Sequence, residues 1–338
     1  IQVNPIIGLK EPFRFRNKAV YQLSQNGKLG LYERGSHRVV PVDDCLVQDE
    51  RHAQIIKAFR GYLEAFGVSI YHETQRAGMV KHLVIRRSDA TRELMVTVVT
   101  SKAKLPMTKK LAEMLVEACP EVTSVHQSIQ PEHTSKILGD TVKCLYGKAH
   151  LVDQIGSLSF QISPLSFFQV NSAQAYHLYQ AALEAADLKG TETVFDFYCG
   201  TGTLTLFLAQ RAKSVYGIEL NGAALEDARI NASHNQINHA QFIVGSVEEA
   251  APALMEKGVV ADVIVLDPPR SGCTAEVLDT LLQMAPRTIV YVSCKPSTLA
   301  RDLKTLCADG TYHVAYAQPV DMFGHTTGVE TVVKLVRG

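Results

Sequence analysis

The stretch V-F-D-F-Y-C-G-T-G-T (Val194–Thr203) decides the fold of the second half of the chain. Its first four residues are typical of a short buried strand, and the apolar residues after the second glycine have helical spacing. The two glycines allow the backbone to turn sharply and to approach a ligand closely. A strand, a glycine turn and a helix in this order predict a ligand site at the carboxyl end of a parallel strand.

Helices and strands alternate on both sides of this turn, from Pro164 onward. Such alternation is typical of a doubly wound parallel sheet with helices on both faces, in which ligands bind beyond the carboxyl ends of the strands. We therefore predict an α/β domain over residues 164–338. Its predicted strands are Thr193–Phe197, Ser214–Glu219, Gln241–Gly245, Val263–Asp267 and Thr288–Ser293, and its predicted helices are Asn171–Ala186, Thr203–Arg211, Ala223–Asn235, Thr274–Met284 and Ser297–Leu306.

The first 163 residues follow a different pattern. Short alternating stretches separated by Gly, Asn and Ser predict β-hairpins within residues 1–50. Residues 51–163 mix helical and strand periodicity without a recognisable catalytic motif, and we predict a central α+β domain there. The sequence opens at Ile1 rather than at Met, which suggests a fragment of a longer protein with a further amino-terminal domain.

Composition limits the classes of function. Lys and Arg total 34 and Asp and Glu total 34, so the net charge is zero, a mild argument against nucleic-acid binding. No apolar run approaches the ~20 residues of a membrane span, and no secretory leader is recognisable, so we expect a cytoplasmic, monomeric protein. Seven cysteines without a C-x-x-C pair argue against a disulfide framework or a zinc site.

Two further motifs lie at the ends of predicted strands. Glu219 ends the strand after the glycine turn, where a carboxylate can hold ribose hydroxyls. A nicotinamide cofactor is one interpretation, but Leu204 stands where a third glycine usually packs the helix beneath a pyrophosphate. S-adenosylmethionine has no pyrophosphate, and the stiff D-P-P-R loop (Asp267–Arg270) favours this cofactor. Purely structural turns are the simpler interpretation of each motif taken alone.

Cys294 and Glu330 are the candidate reacting groups. Cys294 lies between a predicted strand and a predicted helix, whose amino terminus predicts a lowered pKa of the thiol. Carbon 5 of uracil is a poor nucleophile until a thiolate adds at carbon 6, and a base must afterwards remove the proton from carbon 5. A cysteine, a carboxylate and a sulfonium methyl donor suit this reaction. Taken singly, a buried thiol and an ion-paired carboxylate are the simpler interpretations.

Five ordered motifs resemble those of the RNA uracil-5-methyltransferase family, closely over residues ~165–338 and more loosely over ~1–160. They are S-F-F-Q-V-N (Ser166–Asn171), D-F-Y-C-G-T-G (Asp196–Gly202), D-P-P-R-S-G (Asp267–Gly272), V-S-C-K-P-S-T-L-A-R-D (Val292–Asp302) and V-D-M-F-G-H-T-T-G-V-E (Val320–Glu330). The resemblance implies a Rossmann-like S-adenosylmethionine-dependent methyltransferase domain, preceded by an RNA-contacting α+β domain. It implies that Cys294 is the nucleophile, that Glu330 is the base, and that the cofactor is contacted by Gln169, Tyr198, Gly200, Gly202, Glu219 and Asp267.

Cys45 favours the ribosomal-RNA branch of the family. Its surroundings, D-D-C-L-V-Q (Asp43–Gln48), resemble the last cysteine of a four-cysteine iron–sulfur site. The other three cysteines, and an RNA-binding β-barrel, would lie upstream of Ile1. We therefore expect 23S ribosomal RNA as the substrate and a 4Fe-4S cluster only in a longer protein. A transfer-RNA uridine-5 methyltransferase and a non-catalytic RNA-binding relative stay open as alternatives.

Three positions depart from the family's pattern. Lys295 replaces an asparagine after the nucleophile, where it is expected to lower the pKa of the thiol or to meet a phosphate. Gly324 and Gly328 replace a proline and a histidine, which should loosen the loop before Glu330. The residues predicted to contact RNA are Arg14, Arg16, Lys18, Arg270 and Lys295.

Overall fold

The computed structural model describes residues 1–24, 26–134 and 136–338, which form two compact units. The amino-terminal unit contains residues 11–153 and 161–165, and the carboxyl-terminal unit contains residues 1–10, 154–160 and 166–338. This division differs from the predicted boundaries at residues 50 and 163. The hairpins of the first 50 residues share a sheet with the central region, and residues 1–10 belong to the other unit.

The strands and helices have the following bounds. The strands are β1 (Gln2–Val3), β2 (Lys18–Leu23), β3 (Leu29–Tyr32), β4 (Val39–Pro41), β5 (Val80–Arg87), β6 (Leu94–Thr100), β7 (Val122–Ile129), β8 (Thr141–Gly147), β9 (Leu151–Ile155), β10 (Leu158–Ile162), β11 (Thr193–Phe197), β12 (Ser214–Glu219), β13 (Ala240–Val244), β14 (Val263–Leu266), β15 (Thr288–Ser293), β16 (Tyr312–Val320) and β17 (Glu330–Arg337). The helices are α1 (His52–Ala65), α2 (Thr108–Ala118), α3 (Ser172–Ala186), α4 (Thr203–Ala209), α5 (Gly222–His234), α6 (Val247–Glu256), α7 (Ala275–Met284) and α8 (Pro296–Leu306).

The amino-terminal unit is built on a seven-stranded sheet in the order β4-β3-β2-β5-β6-β7-β8. Its neighbouring strands are antiparallel except for β6 and β7, which run parallel. Helices α1 and α2 pack together, and their apolar residues Phe59 and Leu111 share one core with Ile85 and Val96 of the sheet. The unit therefore has the predicted α+β organisation.

The carboxyl-terminal unit is built on an eight-stranded sheet in the order β1-β16-β17-β15-β14-β11-β12-β13. Strands β13, β12, β11, β14 and β15 are parallel, whereas β17 is antiparallel to both of its neighbours. Phe195 and Phe197 share a core with α6, α7 and α8, whereas Asp196, between them, bonds Thr205 of α4 on the other face. Helices on both faces confirm the doubly wound, Rossmann-like fold.

Side-chain caps fix the starts of three helices that lead away from the functional edge of this sheet. The side chain of Asn171 accepts a hydrogen bond from the amide of Gln174 at the start of α3 (3.1 Å). Asn221 accepts from Ala223 at the start of α5 (3.1 Å), and Thr274 caps α7. Such caps satisfy amides that would otherwise lack a partner in the first turn, which is why these helices begin where the sequence predicts.

Helix α6 and strands β1 and β16 of this unit escaped the sequence interpretation. Helix α6 carries Pro252 in its interior, which interrupts the helical pattern. Strand β16 has mostly half-buried residues and little apolar alternation, because it lies beside the short edge strand β1. In the described part of the chain, no helix has the length and apolarity needed to cross a membrane.

Candidate active site

A glycine turn (Tyr198–Gly202) follows β11 and has positive φ at three positions. These are Tyr198 (64°), Gly200 (54°) and Gly202 (75°). A Cβ atom on Gly202 would lie 2.9 Å from the Cβ of Ala228 and 3.0 Å from the ring of Phe242. Glycine is therefore required there by both conformation and packing, and the turn brings backbone amides to the sheet edge.

Glu219, at the end of β12, is held beside this turn. Its Oε2 accepts a hydrogen bond from the amide of Gly200 (3.2 Å), and its Oε1 accepts one from the amide of Asn221 (2.8 Å). The carboxylate is half-buried, and each oxygen keeps a lone pair for a ligand. The structure thus brings two of the predicted cofactor residues, Gly200 and Glu219, into direct contact.

A small, partly open cavity lies beside the turn. Thr201 donates a hydrogen bond to the carbonyl of Phe167 (3.0 Å), so the segment before α3 is tied to the turn. The hydroxyl of Tyr179 bonds the Thr203 hydroxyl (2.9 Å) and the side chain of Gln169. The residues lining the cavity include Gln169, Tyr179, Asp196, Tyr198, Gly200 and Asp267.

The cavity is acidic. Burial, together with the charges of Asp267 and Glu219, raises the pKa of Asp196 to about 7, although a 2.5 Å hydrogen bond from the hydroxyl of Thr205 lowers it. Burial likewise raises the pKa of Asp267 to about 7. Neighbouring buried carboxyl groups resist ionisation, and a positive charge between them stabilises their ionised forms. The cavity therefore suits a cationic ligand.

The second cluster is the cysteine–carboxylate pair (Cys294 and Glu330). Cys294 follows β15 and precedes α8, and Glu330 is the first residue of β17. Strands β15 and β17 pair antiparallel with Ser293 opposite Thr331, and the same register continued by one residue sets Cys294 opposite Glu330. The charge of Glu330 acts on Cys294, and the charge of Asp267, a cavity residue that follows β14, acts on both members of the pair.

The prediction of a lowered thiol pKa is wrong. Burial raises the pKa of Cys294, and the negative charges of Glu330 and Asp267 raise it further. Arg270 opposes this shift, through its charge and through a hydrogen bond to the thiol. Burial, together with the charge of Asp267, raises the pKa of Glu330 to about 8. Both groups of the pair therefore favour their protonated forms near neutral pH, because burial and the nearby carboxylates outweigh the effect of the helix amino terminus on the thiol.

Lys295 and Gly328 have visible local roles. Lys295 precedes α8 with an exposed side chain, and its amide donates to the hydroxyl of Ser293 (3.2 Å). The loop before Glu330 is closed by Thr326, which donates to the Phe323 carbonyl (2.7 Å) and accepts from the Gly328 amide (3.1 Å). Arg270, rather than Lys295, is the cation that contacts the thiol.

The candidate RNA residues of the amino-terminal unit are in mixed surroundings. Arg14 forms a two-point ion pair with Asp44 (2.6 and 2.7 Å) and donates to the Cys45 carbonyl (2.8 Å), so its guanidinium is occupied by the fold. Burial and the charges of Arg86 and Arg16 lower the pKa of Lys18 to about 7. Cys45 itself is partly exposed, and the described residues hold no group of three His, Cys, Asp or Glu arranged for a metal.

Comparison with known proteins decides the family. The model of the tRNA (uracil-5-)-methyltransferase family matches residues 148–338, more than half of the chain. The chain belongs to this family. It is 44% identical over 336 residues to an uncharacterised RNA methyltransferase of Clostridium tetani, covering 98% of this chain and 73% of the relative. Both results support an S-adenosylmethionine-dependent RNA methyltransferase, as the five motifs predict.

Solved structures agree with the fold. The structure of a Pyrococcus abyssi tRNA (uracil-54, C5)-methyltransferase in complex with S-adenosyl-L-homocysteine superposes with a TM-score of 0.82 at 29% identity, covering 98% of this chain and 78% of that chain. A Streptococcus mutans methyltransferase shares the fold alone, at 11% identity and a TM-score of 0.53, covering 85% and 81% of the two chains. This RNA methyltransferase thus has its cavity in a fold that binds S-adenosyl ligands.

The cavity residues Asp196 and Tyr179 were absent from the sequence interpretation of the site, as was Thr205, which donates a hydrogen bond to Asp196. Asp196 lies inside the quoted V-F-D-F stretch, where a charged residue in an apolar strand is itself a signal. Tyr179 and Thr205 lie on helices with ordinary apolar periodicity, and no local pattern distinguishes them. Their contacts appear only once the helices pack on the sheet.

Proposed function

We propose that the enzyme methylates carbon 5 of uridine in RNA through a covalent adduct between Cys294 and carbon 6 of the ring. The observation that supports it best is the position of the cysteine–carboxylate pair, on neighbouring strands and within electrostatic reach of the Asp267 side chain that lines the acidic cavity. A thiol, a carboxylate of raised pKa and a cavity for a cationic methyl donor are the groups that this reaction requires.

The cavity residues fit S-adenosylmethionine, whose sulfonium is positive. Asp196 and Asp267 supply the acidic wall, and Glu219, fixed by two backbone amides, presents its free lone pairs to ribose hydroxyls. Gln169 and Tyr198 line the same cavity. When bound, the cofactor supplies an electrophilic methyl group. The chain itself binds and orients this group and excludes water from it.

The first step that the chain's own residues perform is the loss of the proton from the Cys294 thiol. Cys294 must lose its proton to solvent before its sulfur bonds carbon 6, and Arg270 stabilises the resulting thiolate. As the carbon–sulfur bond forms, the electron pair of the double bond between carbons 5 and 6 makes carbon 5 nucleophilic, and carbon 5 would take the methyl group of the bound donor as the bond from that methyl to the sulfonium sulfur breaks. Once carbon 5 carries both its proton and a methyl group, the carboxylate of Glu330 removes the proton. The double bond re-forms, and the carbon–sulfur bond breaks to release the thiolate.

An RNA that carries 5-fluorouridine at the target tests the covalent step, because fluorine cannot leave as a proton. Wild-type enzyme with cofactor should form a protein–RNA adduct that survives denaturing electrophoresis. Cys294→Ala should form none, whereas Cys144→Ala, which alters an exposed cysteine of β8, should form as much as wild type. Methylation of ordinary RNA by Cys294→Ala would refute the mechanism.

We propose 23S ribosomal RNA as the substrate, because the surroundings of Cys45 resemble those of the ribosomal branch. Transfer RNA is the second candidate, which the description of the family model and the Pyrococcus abyssi structure favour. Ribosomal and transfer RNA from cells that lack the protein should be incubated separately with enzyme and labelled cofactor. We expect label in 23S RNA at a single uridine position or a few, and label in transfer RNA alone would reverse the assignment.

A further inference from the structure

Helix α8, which follows Cys294, carries a buried carboxylate that the proposed reaction does not use. Asp302, in the middle of α8, is 0% exposed. Its Oδ2 accepts hydrogen bonds from the hydroxyl of Tyr291 (2.7 Å) and from the amide of Cys273 (2.9 Å), and its Oδ1 accepts one from Nε of Arg301 (2.8 Å). A buried carboxylate is tolerated only with such partners, so their arrangement is strongly specified.

Arg301 also bonds the loop that contains Cys273, residues Pro268–Cys273. Its Nη2 donates to the carbonyls of Ser271 (2.9 Å) and Cys273 (3.1 Å), while the guanidinium pairs with Asp302. Two adjacent residues of α8 therefore bond both the carbonyls and an amide of the loop Pro268–Cys273. The side chain of Arg301 is 55% exposed, so the loop rather than the core determines its position.

Gly272 shows that this contact shapes the loop. Its φ is 76°, and a Cβ atom there would lie 2.6 Å from Nη2 of Arg301 and 2.6 Å from Oδ2 of Asp302. Its amide closes a turn on the carbonyl of Pro269 (2.8 Å). Only glycine can occupy a position whose side-chain space is filled by the two α8 residues. The loop is thus built against Arg301 and Asp302.

The loop also carries Arg270, whose exposed side chain acts on the thiol of Cys294 and whose carbonyl accepts a hydrogen bond from the Thr298 hydroxyl of α8 (3.3 Å). An exposed arginine has no packing of its own to hold it, so its position depends on its backbone. At the far end of the loop, the thiol of Cys273 bonds the hydroxyls of Tyr291 and Tyr198, and Tyr198 belongs to the glycine turn. The same contacts therefore reach both clusters of the site.

We propose that Arg301 and Asp302 are positioning residues, which hold the loop Pro268–Cys273 against α8 so that Arg270 stays on the Cys294 thiol. The proposal rests on the proposed function, in which Cys294 is the nucleophile. Its main test, however, reads the thiol directly and needs neither RNA nor methyl transfer, so the two proposals can fail separately.

The test compares Arg301→Gln with wild type and with Lys304→Gln, which removes a positive charge from an exposed residue of the same helix. Alkylation of Cys294 by iodoacetamide is followed against pH by mass analysis of its peptide. Arg301→Gln should move the midpoint to higher pH, because the cation that favours the thiolate moves away. Its kcat should fall roughly 10-fold, the loss expected for a charge-assisted hydrogen bond, with the KM for cofactor within about 2-fold of wild type. Lys304→Gln should change neither value.

A double-mutant cycle with Arg270→Gln decides whether the effect passes through Arg270. If it does, adding Arg301→Gln to Arg270→Gln should leave both the midpoint and kcat unchanged. Multiplying effects, or a wild-type midpoint in Arg301→Gln, would overturn the proposal. Asp302→Asn, if thermal unfolding shows that it folds, should shift the midpoint and kcat as Arg301→Gln does. If Asp302→Asn does not fold, Arg301→Gln still tests the proposal, because the Arg301 side chain is half-exposed.

Discussion

The glycine turn and the cysteine–carboxylate pair lie in one sheet, but they are assembled differently. Tyr198, Gly200 and Glu219 come from two successive strands, β11 and β12, that pair directly in parallel. Cys294 and Glu330 come from strands separated by α8 and by β16, and they meet only because β17 enters the sheet antiparallel between β15 and β16. The turn is therefore a local structure, whereas the pair depends on long-range strand pairing.

This difference has an electrostatic counterpart. The turn satisfies Glu219 with two backbone amides, so its charge is supported locally. In the pair, besides burial, the charge of Asp267 raises the pKa of both groups and the charge of Glu330 raises that of Cys294. Arg270 lowers the pKa of both groups. Cofactor binding at the turn and catalysis at the pair should therefore respond to different substitutions, which the following experiments test.

Glu330→Gln should have the largest effect. Glutamine keeps the shape of the side chain but cannot remove the carbon 5 proton, and general-base contributions are typically ~100- to 10,000-fold. Turnover should fall by that factor while a methylated covalent complex with ordinary RNA accumulates on denaturing gels. Glu256→Gln, on the exposed end of α6, is the control. Normal turnover would point to Asp321 or His325 as the base, and loss of cofactor binding would make Glu330 structural.

Glu219→Gln should affect the other cluster. The substitution replaces one carboxylate oxygen by an NH₂ group, which accepts no hydrogen bond. The side chain can then no longer accept from both the Gly200 and the Asn221 amides, and it has fewer lone pairs for ribose hydroxyls. We expect cofactor affinity to fall roughly 10- to 100-fold by calorimetry, in line with charge-assisted hydrogen bonds. The rate at saturating cofactor should change little. A lower saturating rate with unchanged affinity would contradict the separation of the two clusters.

The pH dependence of the reaction should reflect the pair. Burial raises the pKa of Glu330 to about 8, so the carboxyl is mostly protonated at pH 7 and gains its basic form as the pH rises. The raised pKa of Cys294 acts in the same direction. Ionisation of Glu330 alone should therefore increase single-turnover rates roughly 10-fold between pH 7 and pH 9, and ionisation of Cys294 should add to this increase. A rate that falls over this interval would require a group that acts as an acid.

Asp196→Asn should have the smallest effect, on stability. The folded protein binds the Asp196 proton more tightly than the unfolded chain does, because the pKa rises from 3.8 to about 7. This contribution is complete below pH ~4 and is lost as the pH rises through about 7, by at most about 4 kcal/mol. Asparagine still accepts from Thr205 but carries no charge. Without cofactor, the variant should melt a few degrees above wild type at pH 8.5 and equally at pH 4; a constant difference would contradict the assignment.

The fold of the carboxyl-terminal unit was predictable because its core strands are apolar and its helices carry caps at their starts. Thr193–Phe197, Ser214–Glu219 and Thr288–Ser293 have the predicted bounds. Sequence motifs also identified the glycine turn, Glu219 and Cys294 as candidates. The pKa of Cys294 could not be foreseen, since it depends on the burial of the thiol and on Glu330 and Asp267, which the strand order brings together. Arg301 and Asp302 were quoted within a motif, but their contact with Gly272 exists only in the packed structure.

Residues 1–10 join the carboxyl-terminal unit although 143 residues of the other unit, Glu11–Asp153, follow them directly. β1 completes the sheet edge beside β16, and the Gln318 side chain donates to the Pro5 carbonyl, a separation of 313 residues. During synthesis at about 5–20 residues per second, this partner emerges roughly 15–60 s later. The amino-terminal unit can thus complete its fold on the ribosome first, while its leading segment waits as an unpaired strand.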